Sequence, residues 1–426
     1  MKGPSMKYTK YEYDNYTLHI VNTKKFVRTY MQVDFRTSLT EEKYNYLLML
    51  SSLLTYSTKK YNTNQLLSRE LLNNYDNFIS CSSYISGNNI IVNLYNNSIN
   101  DKLVNDRVFD KSLDILNEVI FNPNIMNNKF DKKSFDIVYK RRRDIIKESK
   151  ENMRGYATTL MLKKMNKNSP AAIANEGNIK ILKKINEENL VNSYNDLLNN
   201  SKIDIFVLGD IDEEDIKEKI NKKFSKLKPN KEKYSCYYET KIGNKIKECI
   251  KEKNTNQAKL IMGFDLTNLT SFERSCVLPI YNYILGGSAT SRLFNNVREK
   301  ASLAYYASSS IMEFDNILII STGIDKKNYK KTYGLIMDNI KDLETNITDE
   351  EIKQAIENKV SKYNENFDYG NVILNMYYTM ILKEKKNIDE VINGIQKVSK
   401  KDLYLVAKKI KLNTVYLYGG DKVGKN

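Results

Sequence analysis

Apolar residues recur along the chain in two rhythms. Alternation predicts strands at 17–21, where His19 falls on the polar side of Thr17-Leu18-His19-Ile20-Val21, and at 26–35. A helical repeat predicts amphipathic helices at 44–54, 272–285 and 349–364. The apolar strand 203–208 ends in Gly209-Asp210 and follows a helical stretch at 187–198. The same order returns near the other end, where a helix at 400–409 precedes Thr414-Val415-Tyr416-Leu417-Tyr418 and then Gly419-Gly420-Asp421. A second echo sets Leu67-Ser68-Arg69-Glu70-Leu71-Leu72-Asn73-Asn74 against Thr290-Ser291-Arg292-Leu293-Phe294-Asn295-Asn296. Each precedes a small-residue strand (81–84, 307–310) and then an apolar one (90–94, 317–320). Two echoes at similar offsets predict an internal duplication, and mixed strands and helices within each copy predict an α+β fold, helices packed on a mostly antiparallel sheet. The predicted domains are 1–225 and 257–426. Between them, 226–256 is a Lys- and Glu-rich linker with Pro229 and Gly243, ending in an edge strand.

Composition narrows the functions open to such a fold. At 41% hydrophobic and 28% charged residues, the 426-residue chain is an ordinary globular protein. Its 68 Lys and Arg against 52 Asp and Glu give a formal charge of +16, but the basic residues are interleaved with acids. The densest cluster, Lys140-Arg141-Arg142-Arg143, meets Asp144 at once and lacks the aromatics of a base-stacking surface, so no nucleic-acid partner is expected. Cys81, Cys236, Cys249 and Cys276 form no C-x-x-C, which excludes zinc ribbons and thioredoxin-like sites and points to reduced thiols. No run of roughly 18 apolar residues and no apolar N-terminal segment occurs, so a cytoplasmic protein without membrane insertion is expected.

The single histidine, His19, excludes more chemistry. No His-pair metal site can form, and one imidazole in an alternating strand reads as a solvent-side residue. Gly286-Gly287-Ser288 follows an apolar helix instead of a strand, which argues against a phosphate loop and for a helix C-terminus with at least one glycine at positive φ. Asp144 and Glu148, one turn apart, read as an exposed pair of carboxylates.

The segment Leu285-Gly286-Gly287-Ser288-Ala289-Thr290-Ser291-Arg292-Leu293-Phe294, continuing through Arg298-Glu299-Lys300 to Leu303-Ala304-Tyr305, resembles the second-domain signature of the insulinase/pitrilysin-type zinc metallopeptidases. With Asn122-Pro123, Thr58-Lys59-Lys60-Tyr61 and the repeat itself, the resemblance spans nearly the whole chain and is greatest to the zinc-free bacterial members. It implies two homologous domains facing each other as half of a clam-shell. It also implies that Leu48, Ser51 and Ser52 stand where the family carries His-x-x-Glu-His, a degenerate zinc motif, with Asp144 near the position of the third ligand. No metal or cofactor is then expected in this chain, and zinc is expected in a homologous partner subunit of a heterodimer. By the same resemblance Arg298 and Tyr305 are the catalytic groups, reaching in trans to stabilise the oxyanion, and Gly286, Gly287 and Ser288 bind the peptide substrate. The implied function is a non-zinc subunit of a peptide- or leader-peptide-processing peptidase, inactive alone. A catalytically silent peptide-binding or scaffold protein of the same fold is the alternative.

Overall fold

The computed structural model describes residues 6–228, 234–239, 245–385 and 387–420, so Pro229, Gly243 and Asp421 lie outside the described residues. The chain folds into two compact units that interleave in sequence. Met1–Lys147, Asn175–Cys236 and Phe367–Met376 make the first, and Glu148–Ala174, Tyr237–Asn366 and Tyr377–Asn426 the second.

The first unit is built on strands β1 (Lys7–Glu12), β2 (Thr17–Asn22), β3 (Arg28–Ser38), β4 (Phe78–Ser86) and β5 (Asn89–Ile99), a two-stranded hairpin of β6 (Ile125–Met126) and β7 (Lys129–Phe130), and β8 (Lys202–Gly209). The main sheet has the order β1-β2-β8-β3-β5-β4, with β2 parallel to β8 and the other pairs antiparallel. Helices α1 (Glu41–Leu54), α2 (Asn64–Asn73), α3 (Val108–Phe121) and α4 (Lys132–Glu148) accompany it. α1 starts where Thr40 accepts the Lys43 N–H and Glu41 and Glu42 meet the helix dipole. It buries Leu47, Met49, Leu50 and Leu53 and packs against β4 and the helix Asn189–Asn200.

The second unit repeats this plan. Its strands β9 (Lys247–Lys251), β10 (Ala258–Leu266), β11 (Ala304–Met312), β12 (Ile317–Ile324) and β13 (Ile410–Gly419) lie in the order β11-β12-β10-β13-β9. β9 runs parallel to β13 and the other neighbours are antiparallel. Read from the other edge, β9-β13-β10-β12-β11 matches β2-β8-β3-β5-β4 strand for strand in order and direction, and β1 is the one addition. The edge strand that the sequence attaches to the linker is therefore the topological counterpart of β2.

Helix α5 (Met153–Met165) packs on β10 and β13 and so belongs to this second unit, although it follows α4 in the chain. Met161 and Met165 reach the sheet over Gly263, where a Cβ would lie 2.6 Å from the Met161 sulfur. With Ile261, Ile317, Ile319, Tyr416 and Tyr418 they form a buried apolar layer. The helix predicted at 272–285 begins with a reciprocal cap, Glu273 N–H to Thr270 Oγ1 (3.2 Å) and Thr270 N–H to Glu273 Oε2 (2.7 Å). It widens to a π-turn at Glu273–Val277, just before Pro279, which has no N–H to continue the ladder.

His19 is not on a solvent face. It is 1% exposed, stacked on Phe206 with ring centroids 4.3 Å apart, and bonded through Nε2 to Asp204 Oδ1 (3.2 Å) and through Nδ1 to the Tyr8 hydroxyl (2.8 Å). The alternation misleads because both faces of β2 are covered, so a polar residue in it is buried and must find partners. Directly across β3 and β8, Asp34 pairs in register with Asp204 and is itself fully buried. It accepts hydrogen bonds from Gln32 and Asn93, each 2.7 Å. Burial, reinforced by the Asp204 charge, outweighs these bonds and pushes its carboxyl up to about 7.

Candidate functional site

Leu48, Ser51 and Ser52 lie in the last two turns of α1. The two hydroxyls are spent within the helix, both donating to the Leu48 carbonyl at 3.2 and 3.1 Å. Leu48 is 7% exposed beneath residues 175–178, and a Cβ on Gly177 would come 3.2 Å from its Cδ1. This short strap is tied down at four points. Tyr44 Oη donates to the Asn175 carbonyl (2.9 Å), and Arg142 Nη2 donates to that of Glu176 (2.7 Å). Asn178 N–H donates to Asn45 Oδ1 (2.6 Å), and Asn178 Nδ2 donates to Glu41 Oε1 (2.9 Å). Burial holds the Arg142 guanidinium below its usual range and raises Tyr44 to about 12. Gly177 sits at φ +96°, a conformation that favours glycine, and this glycine within Asn175-Glu176-Gly177-Asn178 is the one sequence signal that marked the strap.

Zinc in a peptidase centre needs imidazole, thiolate or carboxylate ligands converging on one point. The α1 positions offer an aliphatic chain and two internally bonded hydroxyls. Asp144 on α4 takes a hydrogen bond from Arg143 Nε at 3.2 Å. Among the described residues no three His, Cys, Asp or Glu side chains gather as a metal-holding group. The donor set does not fit a catalytic zinc.

In the second unit, Arg298 lies in the π-helical turn Phe294–Lys300 and Tyr305 at the start of β11. The connection is fixed from both sides, by Ala301 N–H to the Asn296 carbonyl and Leu303 N–H to that of Val297, with Ser302 at positive φ between them. β11 pairs Ala304 with Ile324 and Tyr306 with Gly323, so Tyr305 is the extra residue of a bulge, without a partner on β12. Its ring is 56% exposed and its hydroxyl donates to Asp325 Oδ1 at 3.3 Å. Arg298 stacks on Phe294 at 4.7 Å and approaches Glu299 at 3.4 Å, with 44% of its side chain exposed. Both groups thus face solvent, held by contacts of the exposed kind that contribute at most about 1 kcal/mol each. The Arg of Ser291-Arg292-Leu293 is different, since Arg292 is locked by Glu351 (2.7 and 2.8 Å) and by Asp342.

Gly286 and Gly287 cap the helix Leu278–Leu285, both N–H groups donating to the Asn282 carbonyl (3.0 and 2.8 Å). The positive φ expected of at least one of them is not found. Gly286 has φ −160°, and neither is among the residues at positive φ. What requires glycine here is close approach: a Cβ on Gly286 would stand 2.6 Å from the Ser309 backbone N, which donates to the Gly286 carbonyl at 2.9 Å. Ser288 Oγ donates to the Tyr283 carbonyl at 3.2 Å. This loop is packed against β11.

Residues 184–359 match the protein family described as Peptidase M16 inactive domain. The chain is 26% identical over 420 residues to the "Probable inactive metalloprotease YmfF" of Bacillus subtilis, covering 96% of this chain and 97% of that one. Its fold is similar to the crystal structure of a conserved protein from Enterococcus faecalis V583 (TM-score 0.91, 27% identity, 98% and 100% covered). It is also similar to that of a peptidase M16 inactive domain from Pseudomonas fluorescens (TM-score 0.79, 15% identity, 98% and 100% covered).

Proposed function

We propose, from the match of residues 184–359 to the peptidase M16 inactive domain and the likeness of nearly the whole chain to a probable inactive metalloprotease, that this is an inactive M16-type protein, the non-zinc subunit of a heterodimeric peptidase working on peptides or leader peptides in the cytoplasm. A homologous partner would carry zinc and the general base. This chain contributes Arg298 and Tyr305, with Gly286, Gly287 and Ser288 beside the bound peptide.

One contrast supports the reading. Leu48, Ser51 and Ser52, which the resemblance sets against the family's zinc motif, are an aliphatic chain beneath the strap and two internally bonded hydroxyls, whereas Arg298 and Tyr305 stay exposed, on a pinned turn, with weak and exchangeable contacts. Tyr305 is a neutral hydroxyl donor and Arg298 a permanent planar cation, the two types of group that hold a peptide carbonyl as negative charge develops on its oxygen. Removing one such donor costs on the order of 3 kcal/mol of transition-state stabilisation, roughly a hundredfold in rate.

The test is reconstitution with a zinc-bearing homologue from the same source. Arg298→Ala and Tyr305→Phe are each expected to lower kcat of the pair about a hundredfold while leaving assembly, read by size-exclusion chromatography, unchanged. Unaltered turnover in both variants would favour a silent scaffold instead. Peptide cleavage by the isolated chain in excess chelator would refute the reading outright.

A further inference from the structure

A single rung of side chains crosses the whole second sheet. In register, Tyr306 on β11 faces Gly323 on β12, Gly323 faces Lys259 on β10, Lys259 faces Tyr418 on β13, and Tyr418 faces Lys251 on β9. Apart from the glycine, tyrosines and lysines alternate along it. Gly323 makes the room, since a Cβ there would lie 2.6 Å from Tyr306 Cε1. Arg154, in the first turn of α5, lies over the Tyr306 ring at 4.7 Å, and Lys259 Nζ over the same ring at 5.4 Å. Lys251 and Lys253 stand over Tyr418 at 6.0 and 5.7 Å.

Four cations therefore share one strip, and among the described residues none of them has a carboxylate within ion-pair reach. Arg154 donates to Ser308 Oγ (2.7 Å) and Lys259 to Gln257 Oε1 (3.0 Å), both neutral acceptors. Several other cations of this unit do have carboxylate partners, as in Lys409 with Glu273, Lys383 with Glu313 and Arg292 with Glu351. The nearby acids are engaged by other groups: Glu252 by Lys326 at 2.9 Å, and Asp325 by the Tyr305 hydroxyl. Lys259 is half-buried, and burial together with the Arg154 charge lowers its pKa, so this arrangement stores unfavourable electrostatic energy that a bound anion releases.

We propose that this rung is a docking strip for the acidic side chains of a bound peptide, which Arg154, Lys259, Lys251 and Lys253 select by charge. The inference rests on the reading of the chain as a peptide-handling subunit, and it adds the substrate class. Four steps between strands at about 4.8 Å span roughly 19 Å, the length of about six extended residues, so two acidic residues three to five apart would reach both ends. The tyrosines do not serve as a base-stacking platform. Tyr418 is 4% exposed with Tyr156 edge-on at 5.7 Å, and Arg154 covers the Tyr306 ring.

The experiment uses the isolated full chain and a fluorescein-labelled ten-residue peptide with two glutamates four residues apart, set against the same peptide with two glutamines. Anisotropy titration at low salt is expected to show roughly tenfold tighter binding of the acidic peptide, with the advantage shrinking at high ionic strength. The double variant Arg154→Gln/Lys259→Gln, which keeps polar side chains at both positions, should bind both peptides alike, and Lys251→Gln/Lys253→Gln should lose part of the preference. Equal affinity of the unaltered chain for the two peptides overturns the proposal. So does an undiminished preference in the first double variant, or a single-stranded oligonucleotide that binds more tightly than the acidic peptide. Because binding is read without a partner or turnover, a failure here leaves the Arg298 and Tyr305 reading standing, and a failure there leaves this one.

Discussion

The two units share one strand order and each buries an aspartate in its sheet, Asp34 in the first and Asp265, bonded to Asn413, in the second, but they extend their polar rows differently. The first places ionisable groups between its strands: Asp34 opposite Asp204, with His19 and Tyr8 continuing the chain of hydrogen bonds. The second adds a row of cations across its sheet, from exposed Arg154 through half-buried Lys259 to exposed Lys251, with tyrosines between them. Strand order survives a duplication because it is fixed by connections and by the apolar layer beneath each sheet. The polar rungs are free to diverge. A rung that is buried throughout is tied to folding and pH, and one whose cations reach solvent, as Arg154, Lys251 and Lys253 do, is available to a ligand.

The largest expected effect follows from the buried rung. The Asp34 carboxyl, at about 7, holds a proton that the unfolded chain has released near 4. The folded state therefore binds more protons between these values, and stability falls as pH rises through the window. For this one group the loss between pH 5 and 8 is on the order of 3 kcal/mol. Asp315 in the second unit, pushed by burial up to about 6, acts in the same direction over a narrower range. Urea midpoints should thus drop from pH 5 to pH 8, and Asp34→Asn should remove the larger share of that slope. A slope unchanged in Asp34→Asn would break the contrast between the units.

A smaller pair of effects, opposite in sign, tests close packing in the second unit. Gly286→Ala drives a methyl against the Ser309 backbone and should cost about 2 kcal/mol. Gly334→Ala, in the helix Tyr329–Asp342 with nothing within 4 Å of its Cβ, should gain up to about 1 kcal/mol in thermal melts. The smallest effect is expected at the exposed end of the tyrosine–lysine rung, where Lys251→Ala should move stability by less than about 0.5 kcal/mol. A large loss there would mean that the strip holds the sheet together.

The sequence disclosed this plan unevenly. Local periodicity predicts strands at 17–21 and 26–35 and a helix at 44–54, found at Thr17–Asn22, Arg28–Ser38 and Glu41–Leu54, and the echo of 67–74 in 290–296 foretold the repeat. Arg298 and Tyr305 stood out within a long contiguous motif. His19 did not, because its partner Asp204 lies 185 residues away and nothing local signals that both faces of its strand are covered. The rung from Tyr306 to Lys251 was equally hidden, since it exists only once the register of five strands is set. Gly286 was read as a matter of backbone angle when the requirement comes from Ser309, a neighbour in space.

The strap over α1 closes the space beside position 48. With Gly177 against Leu48, and with Tyr44, Asn45 and Arg142 all committed to the segment above it, an imidazole introduced at position 48 would collide with the chain before it met an ion. Placing metal-binding side chains at Leu48, Ser51 and Ser52 would therefore require the strap to move as well.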